Sequence, residues 1–178
     1  GEEGTQLYGM AEKEGKGASA AYILIWADTS LDAKKPTEET TSVKEFEWGY
    51  NVYRDGWNDD MDTLISFVSG KTSHRGHNQR DENSFAFYAK GEDFAIDPGY
   101  SPSETLSHNA LLVDGVGQAV PGNRYDIYGE IIKSEKLADN IYYVEGDATD
   151  TYPDRVSLSS YIRRMIVCTG EIPYIVVI

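Results

Sequence analysis

Apolar residues in this chain come in short runs, and hardly any stretch carries the stripe of an amphipathic helix. Ten such runs can be marked out: Ala20–Trp26, Glu47–Asp55, Thr63–Val68, Phe85–Tyr88, Phe94–Ile96, Asn109–Val113, Arg124–Glu135, Ile141–Glu145, Val156–Val167 and Tyr174–Ile178. Turn-forming residues separate them. Gly56-Trp-Asn-Asp-Asp is rich in side chains that bond their own backbone, and Pro98-Gly99 and Asp114-Gly115 halt extended chain. Lys90-Gly91-Glu92-Asp93 between two aromatic runs is a hairpin signal. The polar stretch Asp32–Lys44 reads as a surface loop or arm. Short strands joined by turns favour an all-β fold over α/β, and an antiparallel β-sandwich over a closed barrel. The long, partly polar run Val156–Val167 suggests an open sheet with one wetter face.

At 178 residues, one well-filled domain spanning residues 1–178 is the natural expectation. Abundant Tyr, at 13 residues, with Ile, Val and Phe, agrees with sheet. Cys168 stands alone, so the chain forms no internal disulfide and no thiolate metal cluster; its apolar neighbours Met165–Val167 point to a core position. Sixteen basic against thirty acidic residues leave a net charge of -14. That argues against nucleic acid or an anionic membrane surface as partner, since phosphates need a cationic face. It also means that a polyanion would need local basic help. No secretory leader pattern opens the chain, and no apolar run approaches the length of a membrane span. A mature chain and an excised fragment would read alike in this respect. The apolar run Ile172–Ile178 raises the expectation of a sandwich truncated at its C-terminus, with an exposed edge open to self-association.

The three histidines carry most of the chemical information. His74 and His77 lie in the polar stretch Lys71–Asp81, His74 reading as a surface residue, and His108 opens the run that follows the Pro98-Gly99 turn. Gln79, Asp97 and His108 all fall at the margins of expected strands, and such margins can converge at one end of a sheet. An imidazole, a carboxylate and an amide oxygen together suit one divalent ion, without choosing among zinc, calcium and manganese. Each residue also has a plain structural role open to it. Asp97 can cap its turn, His108 can be a hydrogen-bonded histidine at a sheet edge, and Gln79 can face solvent.

Several blocks, in order, resemble the heparinase II/III-like β-sandwich domain. They are Tyr53-Arg-Asp-Gly-Trp57, His77-Asn-Gln-Arg-Asp-Glu-Asn-Ser-Phe85, Tyr88-Ala-Lys-Gly-Glu, Ala95-Ile-Asp-Pro-Gly-Tyr100 and Ser107-His-Asn-Ala-Leu-Leu-Val-Asp-Gly-Val-Gly-Gln118. The resemblance is close from Val52 to Gln118 and holds only in pattern elsewhere. It implies an antiparallel sandwich of the supersandwich kind, joined in the full protein to an N-terminal α/α toroid that supplies a catalytic Tyr. It further implies a periplasmic or secreted bacterial lyase acting on an acidic polysaccharide such as a glycosaminoglycan. By motif position His77 resembles the family's cleft histidine, and Asp97 and His108 look like its metal ligands. Where many relatives carry a second His, this chain has Gln79, which weakens the case for zinc and favours a harder ion.

The implied chemistry gives these groups work to do. A lyase removes the C5 proton of a uronic acid and expels the C4 oxygen. That proton leaves only if the neighbouring carboxylate is neutralised by positioned donors, and an acid returns a proton to the leaving oxygen. His77 can serve as base or as carboxylate partner, because its ordinary pKa is near neutrality. Arg75 and Arg80 can supply local positive charge to the substrate, or can simply be solvated. A metal held by Gln79, Asp97 and His108 would steady the loop that bears His77. Without the toroid, the isolated chain is expected to have little or no lyase activity. Two other readings compete: a non-catalytic carbohydrate-binding or scaffolding sandwich, and a cupin-like metal enzyme with a closed barrel.

Overall fold

The computed structural model describes residues 28, 30, 43–46, 48–57, 61–70, 79–119 and 128–178. The chain divides into two compact units, Gly1–Thr37 and Glu38–Ile178. In the first, the backbone N–H and hydroxyl of Ser30 both donate to Asp28 Oδ1, at 3.0 and 2.6 Å. The expected strand Ala20–Trp26 lies outside the described residues.

The second unit is all-β, and its described residues contain no α-helix. β1 (Val43–Phe46), β2 (Tyr50–Arg54), β3 (Leu64–Val68), β4 (Ser84–Ala89) and β5 (Glu92–Ala95) form a five-stranded antiparallel meander. β6 (Glu130–Ala138), β7 (Ile141–Asp147), β8 (Ile162–Cys168) and β9 (Tyr174–Val177) form a four-stranded one. In both sheets sequence neighbours are spatial neighbours, as short connections dictate. The β4–β5 hairpin turns on Lys90 and Gly91 with φ of 55° and 81°, the left-handed geometry of a two-residue turn whose twist matches the strands.

The two sheets face each other as a sandwich. Alternation along β2 and β3 sends Tyr53, Ile65 and Phe67 inward, joined by Phe87 and Ala89 from β4. Tyr142 and Val144 of β7 and Met165 and Val167 of β8 meet them from the other side. The Tyr53 and Tyr142 rings lie 5.4 Å apart across the interface. Polar ties cross it as well: Asn51 Nδ2 donates to Ser134 Oγ at 2.9 Å and Asn83 Nδ2 to the Gly146 carbonyl at 3.0 Å. Gly146 is required where Asn83 and Phe67 press against β7. A Cβ there would sit 2.3 Å from Asn83 Oδ1 and 2.8 Å from the Phe67 ring. Gly146→Ala is therefore expected to destabilise the sandwich by roughly 1–3 kcal/mol through overpacking, read as a lowered Tm in a circular-dichroism melt. An unchanged Tm would mean that the two layers are further apart here than the structure has them.

Five local expectations need correction. Asn109–Val113 is not a strand, because its backbone groups are taken by side chains. Arg163 donates to the Asn109 carbonyl and Tyr152 Oη to that of Leu111, leaving only a single bridge between Val113 and Val116 around the Asp114-Gly115 turn. His108 accordingly follows a short 3-10 turn, Thr105–Ser107, instead of opening a strand. Val156–Val167 begins as the end of another 3-10 turn, Asp154–Val156. Ser157 with φ of 51° breaks the extension, and β8 starts only at Ile162. The polar arm ends earlier than expected, since Val43 and Lys44 already pair with β2. Cys168 is half-buried and lies outside the core that Met165 and Val167 enter.

The final strand β9 forms one edge of its sheet, with Tyr174, Val176, Val177 and Ile178 exposed. No helix among the described residues is long and apolar enough to cross a membrane.

Candidate metal centre

Three chain segments meet at one end of the five-stranded sheet. The first is the turn entering β4, where Ser84 N–H donates to the Asp81 carbonyl at 2.8 Å and Asn83 takes φ of 60°. The second leaves β5 through Ile96 and Asp97, and the third follows the Thr105–Ser107 turn. Together they place one ligand atom each of Asp81, Asp97 and His108 within 4.8 Å of one another. His108 Nδ1 is 3.0 Å from Asp97 Oδ2, a spacing that suits a shared proton or a shared cation. The His108 side chain is 0% exposed, and its Nε2 has no hydrogen-bond partner.

The cluster borders a groove of about 320 Å³ on the outer face of the sheet, lined among others by Tyr50, Ser66, Val68, Gln79, Ser84 and Ala86. The small side chains at 66, 84 and 86 keep that face open. Its electrostatics are strongly negative. Burial raises the Asp81 carboxyl, and Asp97 raises it further while His108 opposes the rise. Burial pushes Glu82 up to about 7 and the Asp81 charge adds to the rise, while the N–H groups of Gly70 and Gly129 that donate to its carboxylate oppose it. Burial and then the charges of Asp81, Glu82 and Asp97 push the Tyr50 hydroxyl up to about 12. No Lys or Arg is among the described residues that line the groove. A divalent cation would satisfy both the crowded carboxylates and the imidazole, so the residues present fit such an ion. One nitrogen and two carboxylate oxygens suit zinc, manganese or calcium.

Neighbouring groups fix this geometry. The Glu82 carboxylate accepts the Gly70 N–H at 2.8 Å. The Gln118 amide bonds both backbone groups of Glu82, accepting at 2.9 Å and donating at 2.7 Å, as a paired strand would. Gly99 N–H donates to Asp97 Oδ1 at 2.8 Å, so Asp97 does cap its turn while its other oxygen faces His108.

Of the residues singled out from the sequence, Asp97 and His108 are brought together. Gln79 lies on the same groove, but its Nε2 donates to the Gly99 carbonyl at 2.6 Å, and the third member of the cluster is Asp81. Asp81 stands two residues beyond Gln79 and three before Ser84 of β4, one of several polar residues there, so spacing alone does not single it out. Arg80 is paired with Glu104 at 3.4 Å. His77, His74 and Arg75 lie outside the described residues.

The family model described as Heparinase II/III-like, C-terminal matches residues 39–177. Solved structures share the fold. A heparinase III is similar at a TM-score of 0.51 and 21% identity, over 71% of this chain and 20% of that one. A heparinase III with methylated lysines gives 0.58 and 17%, over 99% and 26%. The heparan sulfate lyase HepC from Pedobacter heparinus gives 0.53 and 18%, over 93% and 25%. The chain thus spans about a quarter or less of the length of these proteins.

Proposed function

We propose, from the premise that this chain belongs to the Heparinase II/III-like, C-terminal family across residues 39–177, that it is the β-sandwich domain of a polysaccharide lyase and holds one divalent cation beside the substrate cleft. The observation that carries the reading is the convergence of Asp81, Asp97 and His108 at the rim of an open groove. Asp81, Asp97 and His108 are the principal ligands. Gln79, with its amide nitrogen engaged by Gly99, has its oxygen left as a weaker fourth donor. The bound ion would supply fixed positive charge between the two carboxylates and the buried imidazole and so hold three segments together.

The chain's own residues do the rest. His77, by its motif position, faces the uronate as base or carboxylate partner. His77 is only four positions before Asp81 in the sequence, so a held Asp81 limits where His77 can stand. Arg75 and Arg80 add positive charge against the acidic polysaccharide, Arg80 only in competition with Glu104. The remaining catalytic groups, a Tyr above all, belong to an N-terminal α/α toroid of the full-length protein. Cleavage is β-elimination at a uronic acid, and the setting is periplasmic or secreted in a bacterium.

Metal content by inductively coupled plasma mass spectrometry tests this, on protein purified without an affinity metal. About one ion per chain is expected, lost in both Asp97→Ala and His108→Ala. No ion after incubation with zinc, calcium or manganese would sink the metal centre. A second reading, a carbohydrate-binding module, draws support from Trp48, Tyr50 and Trp57, exposed on or beside β2. It predicts polymer binding that survives loss of His77 and of both ligands.

A further inference from the structure

We infer that Arg163 and Asn109 form a half-buried clamp that positions the three ligand-bearing segments, and that cation affinity depends on it. This rests on the metal reading above. Arg163 projects from β8, in the opposite sheet, opposite Gly146 of β7. Its Nη1 donates to the Asn83 carbonyl at 2.6 Å and also to the Asn109 carbonyl. Its guanidinium lies between the Phe85 and Tyr161 rings, 5.6 and 5.5 Å from their centres. The Asn109 side chain continues the chain of contacts: Nδ2 donates to the Phe85 carbonyl at 2.9 Å and to that of Ile96 at 3.0 Å.

The positions of those carbonyls are what matter. Asn83 is two residues beyond Asp81, Ile96 directly precedes Asp97, and Asn109 directly follows His108. One cation and one amide therefore tie all three segments, none of which is held at its ligand residue by a strand ladder. A guanidinium suits the task because the two hydrogens on its Nη1 reach two carbonyls at once and the group cannot lose its charge. Neither residue touches the ion, so both are positioning residues.

The test uses the 178-residue chain and Co2+, whose visible bands report the number and kind of donors. Wild type, Arg163→Met, Arg163→Lys and Asn109→Ala are titrated, and each Tm is taken in chelator. Arg163→Met keeps the packed stem and removes both carbonyl contacts. It and Asn109→Ala are expected to weaken Co2+ binding about 10–100-fold, the range for residues that orient metal ligands, and to shift the bands of the bound ion. Arg163→Lys, which retains a charge but not the planar guanidinium, should fall between. Wild-type affinity and bands in all variants would overturn the clamp while leaving the metal centre intact. So would a loss of affinity with unchanged bands that merely follows a lowered Tm. No Co2+ binding by the wild type would instead overturn the metal reading and the clamp with it. If Arg163→Met does not fold, Asn109→Ala decides the matter.

Discussion

Phe67→Ala is expected to destabilise the sandwich by about 3–5 kcal/mol. Phe67 is 0% exposed on β3, where Asn51 and Phe85 flank it on the neighbouring strands. Its ring spans the gap between the sheets and lies over Gly146, which has no side chain to move into the space left behind. The change therefore combines lost burial with a cavity that collapses poorly. Since a domain's whole stability is about 5–15 kcal/mol, the Tm should fall by roughly 10 °C or more. Phe94→Ala is the control. Phe94 is 63% exposed and only stacks on Phe87 at 5.1 Å, so its loss should cost no more than about 1 kcal/mol. Equal effects from the two substitutions would contradict the placement of the inter-sheet core.

The second large effect is on the ion. Asp81→Asn keeps the shape of the side chain and removes its charge. Loss of a principal ligand should lower cation affinity by more than the roughly 10–100-fold typical of supporting residues. Stability without metal should hold or rise, because a half-buried carboxylate beside Asp97 and Glu82 is replaced by a neutral amide. Gln79→Ala should lose far less affinity, since a neutral amide oxygen contributes less than a carboxylate to holding a divalent ion. Calorimetric titration together with melts in chelator separates these outcomes. A collapse in Gln79→Ala with little change in Asp81→Asn would return the ligand set to the one read from the sequence.

The fates of particular residues show why the sequence was legible in some places and not in others. The Lys90-Gly91 hairpin and the position of β3 were readable because turn chemistry and short apolar runs are local. The stretch Asn109–Val113 has the same apolar composition as a strand and is not one. Its carbonyls are taken by Arg163 and by Tyr152, 54 and 41 residues away. Asp97 and His108 could be picked out through the blocks around them. Asp81 was passed over because nothing in the spacing says which of several polar residues before β4 turns toward His108.

By itself, then, the sequence determined the all-β class and most strand positions, and it drew attention to two of the three clustered side chains, Asp97 and His108. Each depends on periodicity, turn residues or short contiguous blocks, which are properties of neighbouring positions. Only the tertiary structure decided the sheet partnership, the entry of Asp81 into the cluster and the reach of Arg163 to a carbonyl 80 residues away. Those contacts are set by how the two layers pack, and packing is a property of the whole chain that no local pattern encodes.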